Sequence, residues 1–215
     1  MGAAVTNDNE LIAHAVDWTR RKMETGAGHD WGHIERVRNN ARVLAAAEDA
    51  DELVVELAAV MHDVVNLPKD HPERAQASTK SAKLAATWLD GRLEEKRIEL
   101  VYEAIRCHSF SAGFTPESVE AKVVSDADNL DALGAIGIAR TFEVGGATKK
   151  QTVATKDPFC EERRPDDSRY TVDHFYTKLL ALRDRFYTES GRAEASERLE
   201  FMRKFLDEMA RELGE

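Results

Sequence analysis

The chain has 215 residues, of which 42% are hydrophobic and 33% charged, and its net charge is −10 at neutral pH. This length suits one domain with a sizeable core, or a core domain with an extra helical region, and we favour one domain. The acidic balance argues against duplex nucleic acid as a partner, and no run of roughly 20 apolar residues indicates a membrane-spanning segment.

The remaining bulk features concern location and redox state. The first ten residues lack the basic segment and apolar run of a secretory signal, so we expect a cytoplasmic location. Cys107 and Cys160 lie in unrelated contexts, which predicts reduced thiols rather than a disulfide or thiolate metal site. A small phosphorylated ligand stays compatible with the net charge, because a metal and a few local cations reverse the potential within one pocket.

Apolar residues recur at spacings of three and four along almost every long segment, which predicts an all-α protein. Asp30 and Asp51 are expected to cap the second and third helices, and His62-Asp63 is expected near the end of the third. In chain order, helices are expected over about residues 7–25, from about 31, from about 52, and over about 73–89, 93–107, 116–133, a short stretch through 142, 172–187 and 192–213.

Residues 143–170 form a long polar segment without helical periodicity. Loops of this length are usually functional or disordered, so a lid and a disordered segment are equal alternatives. We therefore expect a helical core over about residues 17–142, this polar loop, and C-terminal helices over about residues 171–213. If the segment is a lid, its basic residues would close over a polyanion. Each of them alone is more typical of a solvated side chain. They are Lys149, Lys150, Lys156, Arg163 and Arg164.

Two imidazoles and two carboxylates, far apart in the chain, form a candidate ligand set: His33, His62, Asp63 and Asp128. Imidazole nitrogen and carboxylate oxygen together suit Mn²⁺, Fe²⁺, Co²⁺, Ni²⁺ or Zn²⁺ and leave positions for water and substrate. The His62-Asp63 pair adjoins an apolar run, where a charge without a partner or metal is unfavourable to bury. Taken singly, each residue has an ordinary structural explanation. If the four meet, the protein is a metal-dependent hydrolase.

Three segments that carry these residues, 29–37, 61–66 and 126–134, resemble the ordered motifs of HD-domain phosphohydrolases. Within that superfamily the chain is most similar to the small bacterial single-domain branch with YedJ-like and YpgQ-like proteins, over about residues 17–213. The resemblance implies a single-domain helical HD fold with one divalent metal held by His33, His62, Asp63 and Asp128. Mn²⁺ is favoured, with Mg²⁺, Co²⁺, Ni²⁺, Fe²⁺ or Zn²⁺ as alternatives.

The resemblance also implies a substrate class, a small phosphorylated molecule and above all a nucleotide. Members of the superfamily hydrolyse phosphate esters or anhydrides, and this branch implies release of nucleoside monophosphate and pyrophosphate from nucleoside triphosphates. A nucleotide phosphomonoesterase, a phosphodiesterase and a noncatalytic metal or nucleotide sensor remain alternatives.

Further roles follow from position. Asp63 is expected to orient the nucleophile as well as bind metal, and Asp131 or Asp70 is a candidate proton acceptor. Arg36, one turn after His33, is expected to offset phosphate charge, with a surface ion pair to Glu35 or to an acid on another helix as the equal alternative.

The remaining candidate substrate contacts are Lys69, Asp70 and His108. A solvated loop position is the alternative for Lys69, and a further imidazole ligand is the alternative for His108. An acyl-transfer triad is disfavoured because Ser109 and Ser125 occupy no nucleophile elbow.

Overall fold

A computed structural model describes residues 7–23, 31–67, 71–109 and 112–215. These residues form nine α-helices and no named strand, with one isolated bridge between Gln151 and Tyr170, which confirms the all-α prediction. None of the helices described is long and apolar enough to cross a bilayer. The helices are α1 Asp8–Lys22, α2 Trp31–Ala47, α3 Glu52–Met61, α4 Ala77–Leu89, α5 Glu95–Cys107, α6 Val119–Leu130, α7 Gly134–Ala147, α8 Asp173–Thr177 and α9 Glu189–Leu213.

Contacts along the backbone divide the chain into two compact units. The first unit comprises Met1–Asp128 with Tyr187–Ser190, and the second comprises Asn129–Phe186 with Gly191–Glu215. The expected single-domain organisation stays a prediction.

Helix α3 is the centre of the first unit. It contacts α1, α2, α4 and α5, and every residue from 53 to 61 is buried. The Asp51 carboxylate caps its start by accepting the backbone N–H of Val54 at 3.3 Å, as predicted. A helix that is apolar on all sides is stable only inside a core, so its C-terminal end delivers the following residues, His62 and Asp63, to the interior.

Helices α2 and α5 each turn one apolar stripe inward. On α2 the buried positions include Ile34, Val37, Ala41 and Leu44, as the 3.6-residue period predicts. His33 precedes the first of these and is itself buried. Packing of the helix therefore fixes where this imidazole lies.

A buried carboxylate holds the segment that joins the first unit from the far end of the chain. Asp126 is fully buried and accepts the backbone N–H groups of Tyr187 and Thr188 at 2.9 and 2.8 Å and the Thr188 hydroxyl at 2.7 Å. These bonds satisfy a charge that would be unfavourable to bury alone. Asp126 thus has a structural role beside the motif residue Asp128.

The second unit contains α7, α8 and most of α9 around an aromatic cluster. Phe175 is fully buried, and its ring centroid lies 6.3 Å from those of Phe142 and Phe205. Gly137 on α7 has no room for a side chain, because an added Cβ would lie 2.1 Å from the Ala132 carbonyl oxygen. Helix α7 continues to Ala147, so the predicted start of the polar loop at residue 143 is wrong by about one turn.

Two aspartates organise the polar segment that follows α7. The Asp157 carboxylate accepts three successive backbone N–H groups, of residues 161–163, at 2.7–2.9 Å. Arg163 donates two hydrogen bonds to the buried Asp173, at 2.5 and 2.6 Å. Arg163 therefore contributes to the fold of this segment instead of presenting a free cation. A lid role for the segment stays a prediction.

Two other predicted boundaries are corrected. The single helix expected over residues 172–187 is instead the five-residue α8 followed by a 3₁₀ helix at Leu179–Arg185. Lys178 separates them, because its backbone angles of −139° and −59° are not helical. The helix expected from residue 73 begins as a 3₁₀ turn at Arg74–Gln76 before α4.

Candidate metal centre

The first unit brings all four predicted ligands together. His33 comes from the first turn of α2, His62 and Asp63 directly follow α3, and Asp128 lies two residues before the end of α6. A fifth side chain, His108 at the end of α5, joins them. The three histidines are almost fully buried, although Asp128 keeps 26% of its side chain exposed.

The donor atoms of this cluster lie close to one another. His33 Nε2 is 3.2 Å from His62 Nε2 and 3.3 Å from Asp128 Oδ1. His62 Nε2 is 3.8 Å from Asp128 Oδ1 and 4.0 Å from Asp63 Oδ2. On the other side of Asp63, His108 Nε2 lies 3.6 Å from Oδ1. The cluster contains two overlapping groups of potential ligands, with His62 common to both.

Two backbone carbonyls fix which ring nitrogens face the cluster. His62 Nδ1 lies 2.8 Å from the Ala59 carbonyl oxygen, and His108 Nδ1 lies 2.6 Å from that of Ile105. Because a carbonyl oxygen only accepts, both Nδ1 atoms carry the proton. Neutral imidazoles in this tautomer direct the Nε2 lone pair inward, which is the arrangement that metal-binding histidines adopt.

The spacing of these donors fits a metal ion. Two ligands each about 2.1 Å from one ion lie about 3.0 Å apart at a right angle and about 4.2 Å apart when opposed. The distances from His62 Nε2 to the nearest atoms of His33, Asp128 and Asp63 run from 3.2 to 4.0 Å, within that interval. Mixed nitrogen and oxygen donors suit a divalent transition metal. The residues present therefore fit the expected cofactor.

Burial and charge set the protonation of the cluster. Burial lowers the pKa of His62 to about 4, against the opposing charge of Asp63, so this imidazole is neutral at pH 7. Burial raises the pKa of Asp128, but the hydrogen bond and charge of His33 outweigh it and hold the pKa below its usual range. For His108, burial disfavours the charged form, yet Asp63 and Asp128 outweigh burial and raise the pKa. Neutral His62 and ionised Asp128 are the forms that bind metal.

The other predicted site residues lie in different parts of the chain. Arg36 is partly buried on α2 one turn from His33, while Glu35 accepts hydrogen bonds from Trp31 at 2.6 Å and Arg20 at 3.2 Å. Asp131 follows α6 and belongs to the second unit.

Within that unit the buried Asp131 carboxylate accepts a hydrogen bond from Arg140 at 2.5 Å. It therefore already has a cationic partner. Lys69, Asp70 and the predicted cap Asp30 lie outside the described residues.

The sequence prediction treated His108 as a substrate contact and did not place it beside Asp63. A sequence signal for this placement was present, because His62 and His108 each directly follow a helix whose last turn is buried. The buried residues are Ala59 to Met61 before His62, and Ala104 and Ile105 before His108. An imidazole in that position donates to the carbonyl three residues earlier and points its other nitrogen past the helix end.

The fold and the convergent histidines and aspartates define a helical protein with a buried group of side chains that could hold a metal ion. The HD domain family model matches residues 30–133. YpgQ of Bacillus subtilis (strain 168) is 30% identical over 190 residues, which cover 88% of this chain and 87% of YpgQ.

Solved structures agree with this match. An HD-superfamily hydrolase from Bacillus thuringiensis superposes with a TM-score of 0.76 at 33% identity, over 97% of this chain and 99% of that one. The crystal structure of Bacillus subtilis YpgQ in complex with ADP gives a TM-score of 0.72 at 30% identity, over 95% and 96% of the two chains. The chain belongs to the HD-domain superfamily of hydrolases, in the branch that includes YpgQ.

Proposed function

We propose that this chain is a metal-dependent nucleoside triphosphate pyrophosphohydrolase, which releases nucleoside monophosphate and pyrophosphate. The observation that carries the proposal is the buried convergence of His33, His62, Asp63 and Asp128 with inward-facing donor atoms. A divalent ion held there, with Mn²⁺ favoured, supplies a coordinated water of lowered pKa and positive charge against phosphate oxygens.

Side chains around the ligands supply orientation. The Asp63 carboxylate presents one oxygen toward His62 and the other toward His108, so it is placed both to bind metal and to orient an attacking water. His108 Nε2 lies 3.6 Å from Asp63 Oδ1, so this imidazole would contact a substrate oxygen beside the metal. Arg36 would offset phosphate charge from α2, and Lys69 and Asp70 stay predicted substrate contacts.

The nucleotide assignment draws on a relative. Bacillus subtilis YpgQ was crystallised in complex with ADP, and this chain is 30% identical to that structure over nearly its whole length. ADP is a nucleoside polyphosphate, as the proposed substrates are. This similarity supports a nucleoside polyphosphate as the ligand of this chain.

Product analysis tests the proposal. Metal-free protein is incubated with a panel of ribo- and deoxyribonucleoside triphosphates, Mn²⁺ is restored, and products are separated by anion-exchange chromatography. We expect monophosphate and pyrophosphate, with no product before the metal is added or from His62→Ala. The exposed His14 on α1 provides the matched control, since His14→Ala removes an imidazole without touching the cluster.

Other products would replace the proposal. Diphosphate with phosphate, or nucleoside with phosphate, would assign a different bond and favour a phosphatase. Cleavage of cyclic or dinucleotide substrates alone would favour a phosphodiesterase. Metal and nucleotide binding without turnover across the panel would favour a sensor.

A further inference from the structure

The turn that follows the His62-Asp63 pair is held from outside by two residues. Helix α3 ends at Met61, so Asp63 lies beyond its regular hydrogen bonds, and the Val64 N–H donates to the Met61 carbonyl at 3.2 Å. The next three residues, 65–67, each bond to a side chain from the region of α4. Neither of those side chains belongs to the metal cluster.

The first is Ser81, which is fully buried on α4. Its hydroxyl oxygen accepts the Val65 N–H at 3.0 Å, and the same hydroxyl donates to the Val65 carbonyl at 3.4 Å. One side chain thus satisfies both backbone groups of a residue two positions after Asp63. Such groups are unfavourable to bury unpaired, so the contact restricts the path of this turn.

The second is Arg74, in the 3₁₀ turn before α4. Its Nη1 donates to the Asn66 side-chain oxygen at 2.9 Å and to the Leu67 carbonyl. Both acceptors are neutral, and the neighbouring Glu73 carboxylate is paired with Lys80 at 2.9 Å. The guanidinium therefore links two residues of the turn and restricts its conformation.

We propose that Ser81 and Arg74 are positioning residues for the metal centre. By fixing residues 65–67 they hold the backbone from which the Asp63 carboxylate reaches the ion. Removing a side chain that hydrogen-bonds directly to a metal ligand typically lowers metal affinity by about 10–100-fold, and we expect the lower end of that range for these more distant contacts. The inference rests on the proposed metal centre. It predicts that two residues outside this centre measurably increase the affinity of the protein for the metal ion.

A pair of serines on α4 gives a matched test. Ser78 lies three residues before Ser81 and is also buried, but its hydroxyl has no hydrogen-bond partner among the described residues. Both Ser→Ala changes have the same effect on intrinsic helix propensity. We expect Ser81→Ala to weaken Mn²⁺ binding by about tenfold and Ser78→Ala to leave it unchanged, as measured by titration calorimetry on folded protein.

A double-mutant cycle tests the role of Arg74. Arg74→Gln and Asn66→Ala are each expected to weaken Mn²⁺ binding, and the double variant to be little weaker than Arg74→Gln alone, because the two residues share one contact. Lys80→Gln, which breaks only the neighbouring ion pair with Glu73, is expected to bind Mn²⁺ as the wild type does. These partly exposed sites keep the test informative if Ser81→Ala does not fold.

The outcomes separate the two proposals. Wild-type protein that binds no Mn²⁺ would overturn the metal centre itself. Wild-type binding together with unchanged affinity in Ser81→Ala and Arg74→Gln would overturn only the positioning role. A lowered melting temperature with unaltered Mn²⁺ affinity in the folded variants would also overturn that role, because a merely structural contact predicts that result.

Discussion

The neutral, buried His62 predicts how the stability of the metal-free protein changes with pH. Its pKa is about 4 in the folded protein and 6.5 in the reference state that stands for the unfolded chain. Below 6.5 the unfolded chain takes up a proton at this imidazole, whereas the folded protein does so only as the pH approaches 4. The folded state is therefore destabilised as the pH falls through that window.

The size of the effect follows from the two pKa values of His62. Between pH 6.5 and about pH 5 this group alone removes about 1.5 kcal/mol of unfolding free energy. His108 has the opposite sign, since its pKa is raised, and its contribution changes mainly above pH 6.5. Carboxylates with lowered pKa values, such as Asp128, act mostly below that interval.

Urea unfolding in the presence of a chelator, at pH 6.5 and about pH 5, measures the difference. The wild type and His14→Asn should lose the same amount, and His62→Asn should lose about 1.5 kcal/mol less than either. The chelator keeps metal binding out of the comparison. Equal losses in wild type and His62→Asn would refute a buried neutral imidazole.

Three further predictions concern ligation and packing. Asp63→Ala should weaken Mn²⁺ binding by more than about 100-fold with the helical circular dichroism retained, and retained metal in dialysed protein would contradict its role as a ligand. Asp126→Ala should lower the unfolding free energy by about 3 kcal/mol, because three donors from Tyr187 and Thr188 lose their acceptor. A loss below about 0.5 kcal/mol in urea would oppose that reasoning. Arg163→Met should destabilise by about 3 kcal/mol, because the buried Asp173 charge loses its partner, and a pH 3 measurement should show a much smaller difference.

Much of the site could be predicted from the sequence, because its chemistry and its helical periods are local. The apolar stripe of α2 placed His33 beside a core, and the continuous apolar run of α3 placed His62 and Asp63 at the end of a buried helix. The resemblance to HD-domain motifs then connected these residues with Asp128. The structure places them in two overlapping groups of potential ligands, His33 with His62 and Asp128, and His62 with Asp63 and His108.

The remainder depended on contacts between distant segments. The buried turn before His108 indicates which way its ring points, but only the packing of α5 against α3 brings that ring to His62, with centroids 4.8 Å apart. The hydrogen bond of the Asp131 carboxylate to Arg140 is also not indicated by the sequence, and a site role for Asp131 stays a prediction. The hydrogen bonds of Ser81 to Val65 likewise join residues whose individual patterns are unremarkable.

The burial of α3 from Leu53 to Met61 limits how this chain can vary. Each residue in a helix advances the next side chain by about 100°, so inserting or deleting one residue between Asp51 and His62 would swing the histidine away from its neighbours. A shift of that kind would also turn Glu56, which pairs with Arg38, into a different neighbourhood. Length changes in this helix should therefore be tolerated far less than substitutions that preserve volume, and related chains with functional centres should keep the spacing from cap to histidine constant.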